Sequence, residues 1–458
     1  LNGAGIVSKD GEVLTLILTE LQRAKAIALS AVQGGNGGAT ILDTFPGSLT
    51  DITGGNRISS LTATSLTEVA DSRRPTLGSG EIDYNNGKLT LNASETLDVD
   101  NAPTASGFNL SLAYISDQTT FFNVSLGASS MINVDGTMIT IMLTEVQRVR
   151  SIAISGTPGG NGGAIVLDAY EGFVQDVGRL NAFQKFDISI NEIPDTTPPV
   201  VLSAQMNYST GVLKVNVSEF VDLSPTSNLN LDNLELANIT GEVNPSSNVL
   251  SLSSSTVIGS DSSIITLQLS ESERVKTLAF AGVDSLYSDT VAAVLTVYAG
   301  AFQDIGTTKN SVNQSLTLQE IPDTIIPRAH LATVNYSTGV ITIANSETID
   351  VTPSNRVNFS HIFVSNVTGD KKIPLTDSEL VSVVDGLNFT FRMSEPERVA
   401  SIENSGTNGG DSIPVTLSLE RKAYHDIGLN GVEEILALHV IEIGDTVPPL
   451  GLSASIDY

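Results

Sequence analysis

The sequence predicts an all-β protein made of tandem antiparallel β-sandwich domains of about 125 residues, joined end to end. Three observations predict this fold. A domain junction recurs along the chain, short β-branched segments alternate apolar and polar residues, and turn residues separate these segments about every ten positions. Helical periodicity over a long segment is missing. A fixed period of this length is typical of an array whose units each have their own core.

The domain junction is the clearest repeat in the chain. It reads DSRRP, DTTPP, DTIIP and DTVPP, and its first residues are Asp71, Asp195, Asp323 and Asp445. A tyrosine follows each of these aspartates by thirteen positions, at Tyr84, Tyr208, Tyr336 and Tyr458. The prolines of the junction restrict the backbone, so we expect a short and semi-rigid linker that makes the array a stiff rod.

The junctions divide the chain into repeats. Residues 1–70 form a partial repeat, 71–194, 195–322 and 323–444 are whole repeats, and 445–458 is predicted to be the first strand of another. The chain therefore starts and ends inside a repeat, as expected for a segment of a longer chain, a processed product or part of a polymer. Strands from an adjoining copy could complete an incomplete sandwich.

Each whole repeat begins with a predicted β-hairpin. In the second whole repeat Leu213, Val215 and Val217 alternate with polar residues, which is the period of a half-buried strand. A glycine occupies the hairpin turn of each copy, where a positive φ costs it least; these residues are Gly87, Gly211 and Gly339.

A Ser/Thr-Glu-x-x-Arg motif recurs in the second half of each repeat. Its copies are Glu20–Arg23, Glu145–Arg148, Glu271–Arg274 and Glu395–Arg398. We predict one capped helical turn that joins two strands. In an enzyme such a pair could position a substrate, but four copies favour a salt bridge or cap that belongs to the fold.

The junction, the hairpin, a Ser-Glu-x-x-Asp motif and a late Gly-x-x-x-Asp motif together resemble the Ig-like repeats of bacterial surface-layer proteins and giant adhesins. The matching residues run from Asp195 to Asp222 and again near Asp304, with counterparts in the neighbouring repeats. The resemblance covers the whole chain. It implies Ig-like sandwiches, a role at the cell surface or in an extracellular filament, and no catalysis.

Composition excludes several classes of function. The net charge of −28 repels nucleic acid and anionic membranes, and it attracts Ca²⁺ or other cations. The chain has no cysteine, hence no disulfide or thiol chemistry, and no apolar run approaches the length of a membrane span. Its four histidines occupy no repeated position and fit no metal-binding or catalytic pattern, so we predict that the protein is not an enzyme.

Repeated carboxylates are candidate Ca²⁺ ligands. The Ser-Glu-x-x-Asp motif supplies a pair in each whole repeat, and junction aspartates could approach these pairs at the ends of domains, where an ion would stiffen the joint. The predicted ligands are Glu95, Asp98, Asp195, Glu219, Asp222, Asp323, Glu347 and Asp350. The alternative is structural: the glutamate pairs with an arginine or caps a turn, while the aspartate ends a strand.

Glycine-rich loops occur at 34–38, 159–163 and, in a weaker form, 408–411. Such a loop can cradle a phosphate. These loops have no following Gly-Lys-Ser/Thr and open no helix, so we predict that they are flexible hairpin loops after strands.

Eleven Asn-x-Ser/Thr sequons are candidate sites of covalent glycans. Several occupy matching places in neighbouring repeats, on the polar face of a strand, at a turn or in a loop. The candidates are Asn92, Asn109, Asn123, Asn207, Asn216, Asn238, Asn313, Asn335, Asn358, Asn366 and Asn388.

The leading hypothesis is a structural repeat protein of an extracellular, glycosylated fibre or surface coat, whose partners are neighbouring copies of itself. A second hypothesis is the stalk of a cell-surface adhesin, stiffened by Ca²⁺, whose binding head lies elsewhere; the basic pairs in repeat 323–444 make that repeat the most deviant. A third is a Ca²⁺-dependent carbohydrate-binding module, which the absence of tryptophan disfavours.

Overall fold

The computed structural model describes residues 1–99, 107–118, 122–237, 249–278, 281–283, 292–366, 371–451 and 453–457. Most regular structure in this part of the chain is β-strand, and the strands form sandwiches, which confirms the predicted all-β fold. The chain forms two compact units. One is Leu1–Pro199 with Gln303–Lys309, and the other is Val200–Phe302 with Asn310–Tyr458.

In the first unit, the partial repeat has four short strands: Gly5–Ile6, Leu16–Ile17, Ile41–Thr44 and Leu61–Ser65. Repeat 71–194 has the strands Leu77–Asp83, Lys88–Leu97, Ala113–Asp117, Asn123–Ser125, Ser130–Met131, Gly136–Met142, Ile165–Ala169 and Lys185–Ile193.

In the second unit, the strands before residue 323 are Val201–Asn207, Val212–Val221, Leu234–Ala237, Val249–Ser251, Thr256–Ile258, Ser262–Gln268, Val294–Val297, Gln314–Thr317 and Gln319–Ile321. Those that follow are Ala329–Asn335, Val340–Asp350, Ile362–Asn366, Lys372–Pro374, Glu379–Leu380, Gly386–Arg392, Val415–Leu419, His425–Asp426 and Ile435–Ile443. Short 3₁₀ helices lie at Leu110–Leu112, Thr226–Asn228, Leu231–Asn233, Ser354–Arg356 and Phe359–His361.

The last strand of a repeat joins its two sheets. Lys185–Ile193 pairs antiparallel with Ile165–Ala169 through its first half. Its second half pairs parallel with Leu77–Asp83, the first strand of the repeat. Ile435–Ile443 makes the same two pairings in repeat 323–444. The prediction of a wholly antiparallel sandwich is wrong at this one pairing, because the first and last strands run in the same direction.

The predicted hairpin and its tyrosine organise each core. Leu213, Val215 and Val217 are all buried on one face of their strand, as the alternation predicts. Tyr208 is fully buried at the end of the hairpin, and its hydroxyl donates a hydrogen bond of 2.7 Å to Glu320 on the last strand. Tyr84 and Tyr336 repeat this arrangement with Glu192 and Glu442. The tyrosine therefore fastens the first hairpin to the strand that closes the sandwich.

The Ser/Thr-Glu-x-x-Arg motif forms a longer helix than predicted. The four helices are Glu20–Ala28 (α1), Glu145–Ala153 (α2), Glu271–Leu278 (α3) and Glu395–Glu403 (α4), each more than two turns long. The capping prediction holds: Thr144 and Gln147 form a reciprocal capping box at the start of α2. The single-turn prediction is wrong, because apolar residues after the arginine continue to pack; Ile152 in α2 is buried.

The segment that begins at Asp445 forms no strand within its described residues, 445–451 and 453–457. Its sequence matches the first strand of a repeat, and its contacts with other segments include the ion pair of Asp445 with Arg398 and the hydrogen bond from the Thr446 amide to Ser337. Ile456 is 73% exposed, whereas the equivalent Ile82 and Met206 are 0% exposed. Tyr458 lies outside the described residues.

Candidate functional site

The arginine of each helix is the centre of a hydrogen-bond network at the repeat junction. Arg274 donates to both carboxylate oxygens of Glu271, at 2.7 and 2.8 Å, and to the backbone oxygen of Tyr208 at 3.0 Å. It also binds the next repeat, through Asp323 at 2.6 Å and Glu347 at 3.3 Å. One guanidinium thus ties its own helix and hairpin to the two carboxylates that follow the junction.

The same network occurs in the first unit. Arg23 pairs with Glu20, with Asp71 at 2.6 Å and with Glu95 at 2.7 Å. Arg148 pairs with Glu145 and Asp195 and donates to the backbone oxygen of Tyr84. These contacts agree with the prediction that the Glu–Arg motif forms a salt bridge belonging to the fold. The same arginines also form ion pairs with carboxylates at or after the junction.

Three carboxylates converge beside each of two arginines. We call Asp71, Glu95 and Asp176 the first junction triad, and Asp323, Glu347 and Asp426 the second junction triad. In each triad the three residues offer oxygen atoms that lie within 4.8 Å of one another. The members come from the junction, the second hairpin strand and the Asp-Ile/Val turn near the end of the same repeat.

Carboxylate oxygens in both triads lack hydrogen-bond partners although they are buried. Oε1 of Glu95 and Oδ2 of Asp176 are unpaired in the first triad, and Oε1 of Glu347 is unpaired in the second. Glu95, Asp176 and Glu347 are only 5%, 0% and 6% exposed. Buried carboxylates are normally paired, because leaving one without a partner costs several kcal/mol.

Burial and mutual repulsion disfavour the charged forms of these groups. Burial raises the pKa of Glu347 to about 8, and the nearby charges of Asp426 and Asp323 add to the effect. The pKa of Asp426 is raised to about 6, again mainly by burial. The pKa values of Glu95 and Asp176 are raised for the same reason. One arginine does not compensate three carboxylates.

A glycine makes room for each triad. A Cβ atom on Gly428 would lie 2.8 Å from Cβ of Asp323 and 3.0 Å from its Oδ2. On Gly178 it would lie 3.1 Å from Oδ1 of Asp176 and from Cβ of Asp71. These glycines directly follow the Asp-Ile/Val motif, so the motif and its glycine together hold the aspartates close together.

Three of the eight predicted ligands lie in the two junction triads. Glu95 lies in the first triad, and Asp323 and Glu347 lie in the second. Asp195 belongs to the first compact unit, where it pairs with Arg148, and Glu219 belongs to the second, where it is buried on Val212–Val221.

The aspartate of the Ser-Glu-x-x-Asp motif is a member of neither triad. The carboxylates that the structure gathers around Glu95 and Glu347 do not include Asp98 or Asp350. Asp350 pairs with Arg356 and accepts from the amide of Thr352, while Asp222 accepts from Ser224 and Asn228. These contacts match the structural alternative for the aspartate.

Sequence reasoning missed Asp71, Asp176 and Asp426 as triad members. Asp176 and Asp426 stand about eighty positions after their glutamates, so spacing could not pair them. A signal was nevertheless present, since the Asp-Ile/Val-Gly motif repeats at one place in every whole repeat.

The glycine-rich loops follow helices rather than strands, and they are not hairpin loops. Gly35 packs against the backbone oxygens of Ile27 and Ser30 at the end of α1, and Gly160 and Gly410 do the same for α2 and α4. Gly34 has a φ of +92°, and a Cβ on it would lie 2.1 Å from the backbone oxygen of Val177. This loop therefore packs tightly on the Asp-Val turn of the next repeat.

We expect Gly34→Ala to loosen that packing and Gly409→Ala to leave all junctions intact. Both glycines have a positive φ, so both changes cost about 1–2 kcal/mol of backbone strain. Gly409 has no backbone atom within 3.4 Å of the added Cβ, its nearest neighbour being the side chain of Ile402. Hydrogen exchange should accelerate at Leu180, whose amide bonds to Asp176, in Gly34→Ala only. Unchanged protection there would show that the loop does not hold the junction.

Ten of the eleven sequon asparagines are described, and none of the ten is buried. Those that are exposed are Asn92, Asn109, Asn123, Asn313, Asn358 and Asn388. Those that are half-buried are Asn207, Asn216, Asn335 and Asn366. Asn238 lies outside the described residues.

Two equivalent sequons share a defined local geometry. Oδ1 of Asn358 accepts from the amide of Ser360 and, at 2.7 Å, from its hydroxyl. Asn109 and Ser111 form the same contacts. The asparagine side chain is thereby fixed by the residue that completes its own sequon.

Helices in the described chain are too short and too polar to cross a lipid bilayer.

No protein-family model matches the chain, and no curated protein matches it. Among solved structures, the N-terminal part of the bacterial S-layer protein SbsC is 14% identical, with a TM-score of 0.17; the match covers 43% of this chain and 45% of that one. A marsupial T cell receptor is 13% identical over 75% of this chain and 95% of its own, with a TM-score of 0.14. A Dscam structure is 7% identical over 84% and 76%, with a TM-score of 0.16.

The chain spans less than half the length of the S-layer structure that it matches. TM-scores of this size do not support any statement about function.

Proposed function

We propose that this protein is an extracellular structural array, in which tandem Ig-like sandwiches build a glycosylated fibre or surface coat from neighbouring copies. The observation that carries the proposal is the junction network. Arg23 and Arg274 each use one guanidinium to bind two consecutive repeats, and the same residue types do so at equivalent positions. The buried charges thus lie at junctions that recur along the chain, whereas the catalytic charges of an enzyme would lie together in one cleft of one repeat.

Covalent glycans are part of this proposal. Asn109 and Asn358 are the strongest candidates, because both are exposed and both are held by the serine of their own sequon. Glycans at these equivalent places would give repeats 71–194 and 323–444 the same polar coat. We expect glycopeptide analysis of protein from its native source to find sugar on both residues. Unmodified peptides at both positions would remove the glycans from the proposal.

Association between copies is supported by the two chain regions that expose core-type residues. Ile456 is exposed although its counterparts are buried, and Ile6, Val13 and Ile17 in residues 1–70 are 67%, 74% and 59% exposed. Because a strand with an apolar face gains from pairing with a sheet edge, we propose that 445–458 pairs with residues 1–70 of another copy.

Electron microscopy of the protein tests the proposal directly. We expect particles many times longer than one chain, and we expect deletion of 445–458 to leave only short ones. Single short particles from both proteins would contradict association through this segment.

An adhesin stalk is the second candidate, and one observation favours it. Repeat 323–444 exposes Lys371, Lys372, Arg421 and Lys422 in an otherwise acidic chain. Basic pairs suit an anionic ligand at a single repeat. Particles of one fixed length, with every chain a separate rod, would favour the stalk over the fibre.

A further inference from the structure

We propose that each junction triad is a binding site for one divalent cation, and that the cation is Ca²⁺. The ligands are the carboxylates of Asp71, Glu95 and Asp176 at one joint, and those of Asp323, Glu347 and Asp426 at the other. This inference deepens the proposed scaffold, since it assigns part of the rigidity of the joints to an ion.

The unpaired oxygens are the first argument. Oε1 of Glu95, Oδ2 of Asp176 and Oε1 of Glu347 have no hydrogen-bond donor, although their residues are more than nine-tenths buried. Each belongs to a group whose other members lie within 4.8 Å. An acidic cluster at the surface is solvated by water, but these oxygens are buried in residues that come close together in the interior. A cation placed among them would supply the missing partner.

The charge of the second triad is the next argument. Asp323, Glu347, Asp426 and Glu271 surround Arg274, so the group carries four carboxylates and one guanidinium. The ion pairs of Arg274 with Asp323 and Glu347 do not include Asp426 or the second oxygen of Glu347. A divalent ion would reduce the excess negative charge of the group from three to one. The first triad has the same composition, with Glu20 and Arg23 in the corresponding places.

Ligand chemistry selects the ion. All candidate ligands are carboxylate oxygens, which Ca²⁺ and Mg²⁺ prefer over softer donors. Ca²⁺ binds oxygen at about 2.3–2.6 Å and accepts irregular, bidentate arrangements, whereas Mg²⁺ requires a near-octahedral shell at about 2.0–2.1 Å. The candidate oxygens of each triad lie within 4.8 Å of one another, so one ion could reach all three residues. The Gly428 and Gly178 positions keep side chains out of this space.

The test is a calcium titration of the whole 458-residue chain after removal of metal with a chelator. We expect calorimetry to detect binding, and millimolar CaCl₂ to raise the midpoint of thermal unfolding by about 5 °C or more. The double variant Glu95→Gln/Glu347→Gln should lose most of this shift, because each triad loses a charged ligand. The double variant should still fold, since glutamine keeps the size of the side chain and removes a buried charge.

Glu433→Gln is the matched control, because it removes one negative charge from an exposed residue away from both triads. It should retain the full shift. Absence of calcium binding to the unmodified chain, or an equal shift in the double variant, would overturn the proposal. An equal shift from MgCl₂ alone would overturn the assignment to calcium. Fibre formation is measured separately, so failure of the ion site leaves the scaffold proposal intact.

Discussion

Arg274→Ala should lower the free energy of unfolding of the second unit by about 3–5 kcal/mol, because it removes the ion pairs that join two repeats. The guanidinium is 6% exposed and satisfies Glu271, Asp323 and Glu347 at once. Without it, the carboxylates remain buried next to one another with no compensating charge. Removing one partner of a buried ion pair is costly for this reason.

Arg398→Ala is the matched control, because Arg398 holds the same place in the motif but is more exposed. Arg398 is 19% exposed and its partner Asp445 is 30% exposed, and its ion pairs within the described residues are those with Glu395 and Asp445. Its loss should cost about 1 kcal/mol, as is usual for exposed pairs. Denaturant unfolding monitored by circular dichroism measures both variants. Equal losses would mean that the network does not connect repeats.

Tyr336→Ala should destabilise repeat 323–444 by about 3–5 kcal/mol. The ring is fully buried among the first hairpin residues, and its hydroxyl donates a hydrogen bond of 2.8 Å to Glu442 on the closing strand. Alanine leaves a cavity and removes the donor. Thermal unfolding of the whole chain provides the measurement.

Tyr336→Phe separates the two contributions. It keeps the ring and removes only the hydroxyl, so it should cost about 1 kcal/mol. If the phenylalanine variant were as unstable as the alanine variant, the hydrogen bond to Glu442 and not packing would dominate the role of the tyrosine.

Local sequence patterns predicted the parts of the fold that depend on neighbouring residues. The alternation at Leu213, Val215 and Val217 predicts a half-buried strand, and the strand Val212–Val221 has that burial. The cap of α2 is predicted because Thr144 and Gln147 are three positions apart. Periodicity of this kind is a property of one segment, so one sequence suffices to detect it.

Contacts between distant segments were harder to predict. Glu95 meets Asp176 only after the sandwich has closed, and nothing in the spacing of the two residues indicates it. The close approach of Gly34 to Val177 depends on the packing of one repeat on the next. The predicted pairing of Glu347 with Asp350 used proximity in the chain, whereas the structure gathers Glu347 with Asp323 and Asp426.

The parallel pairing of the first and last strands has a mechanical consequence. When the two ends of repeat 71–194 are pulled apart, Leu77–Asp83 and Lys185–Ile193 are drawn in opposite directions along their length. The hydrogen bonds of Ile190–Ile193 are then strained together in shear instead of breaking one after another. Tension along the chain would therefore meet its greatest resistance where each repeat closes, and extension of the material would require many bonds to rupture at once.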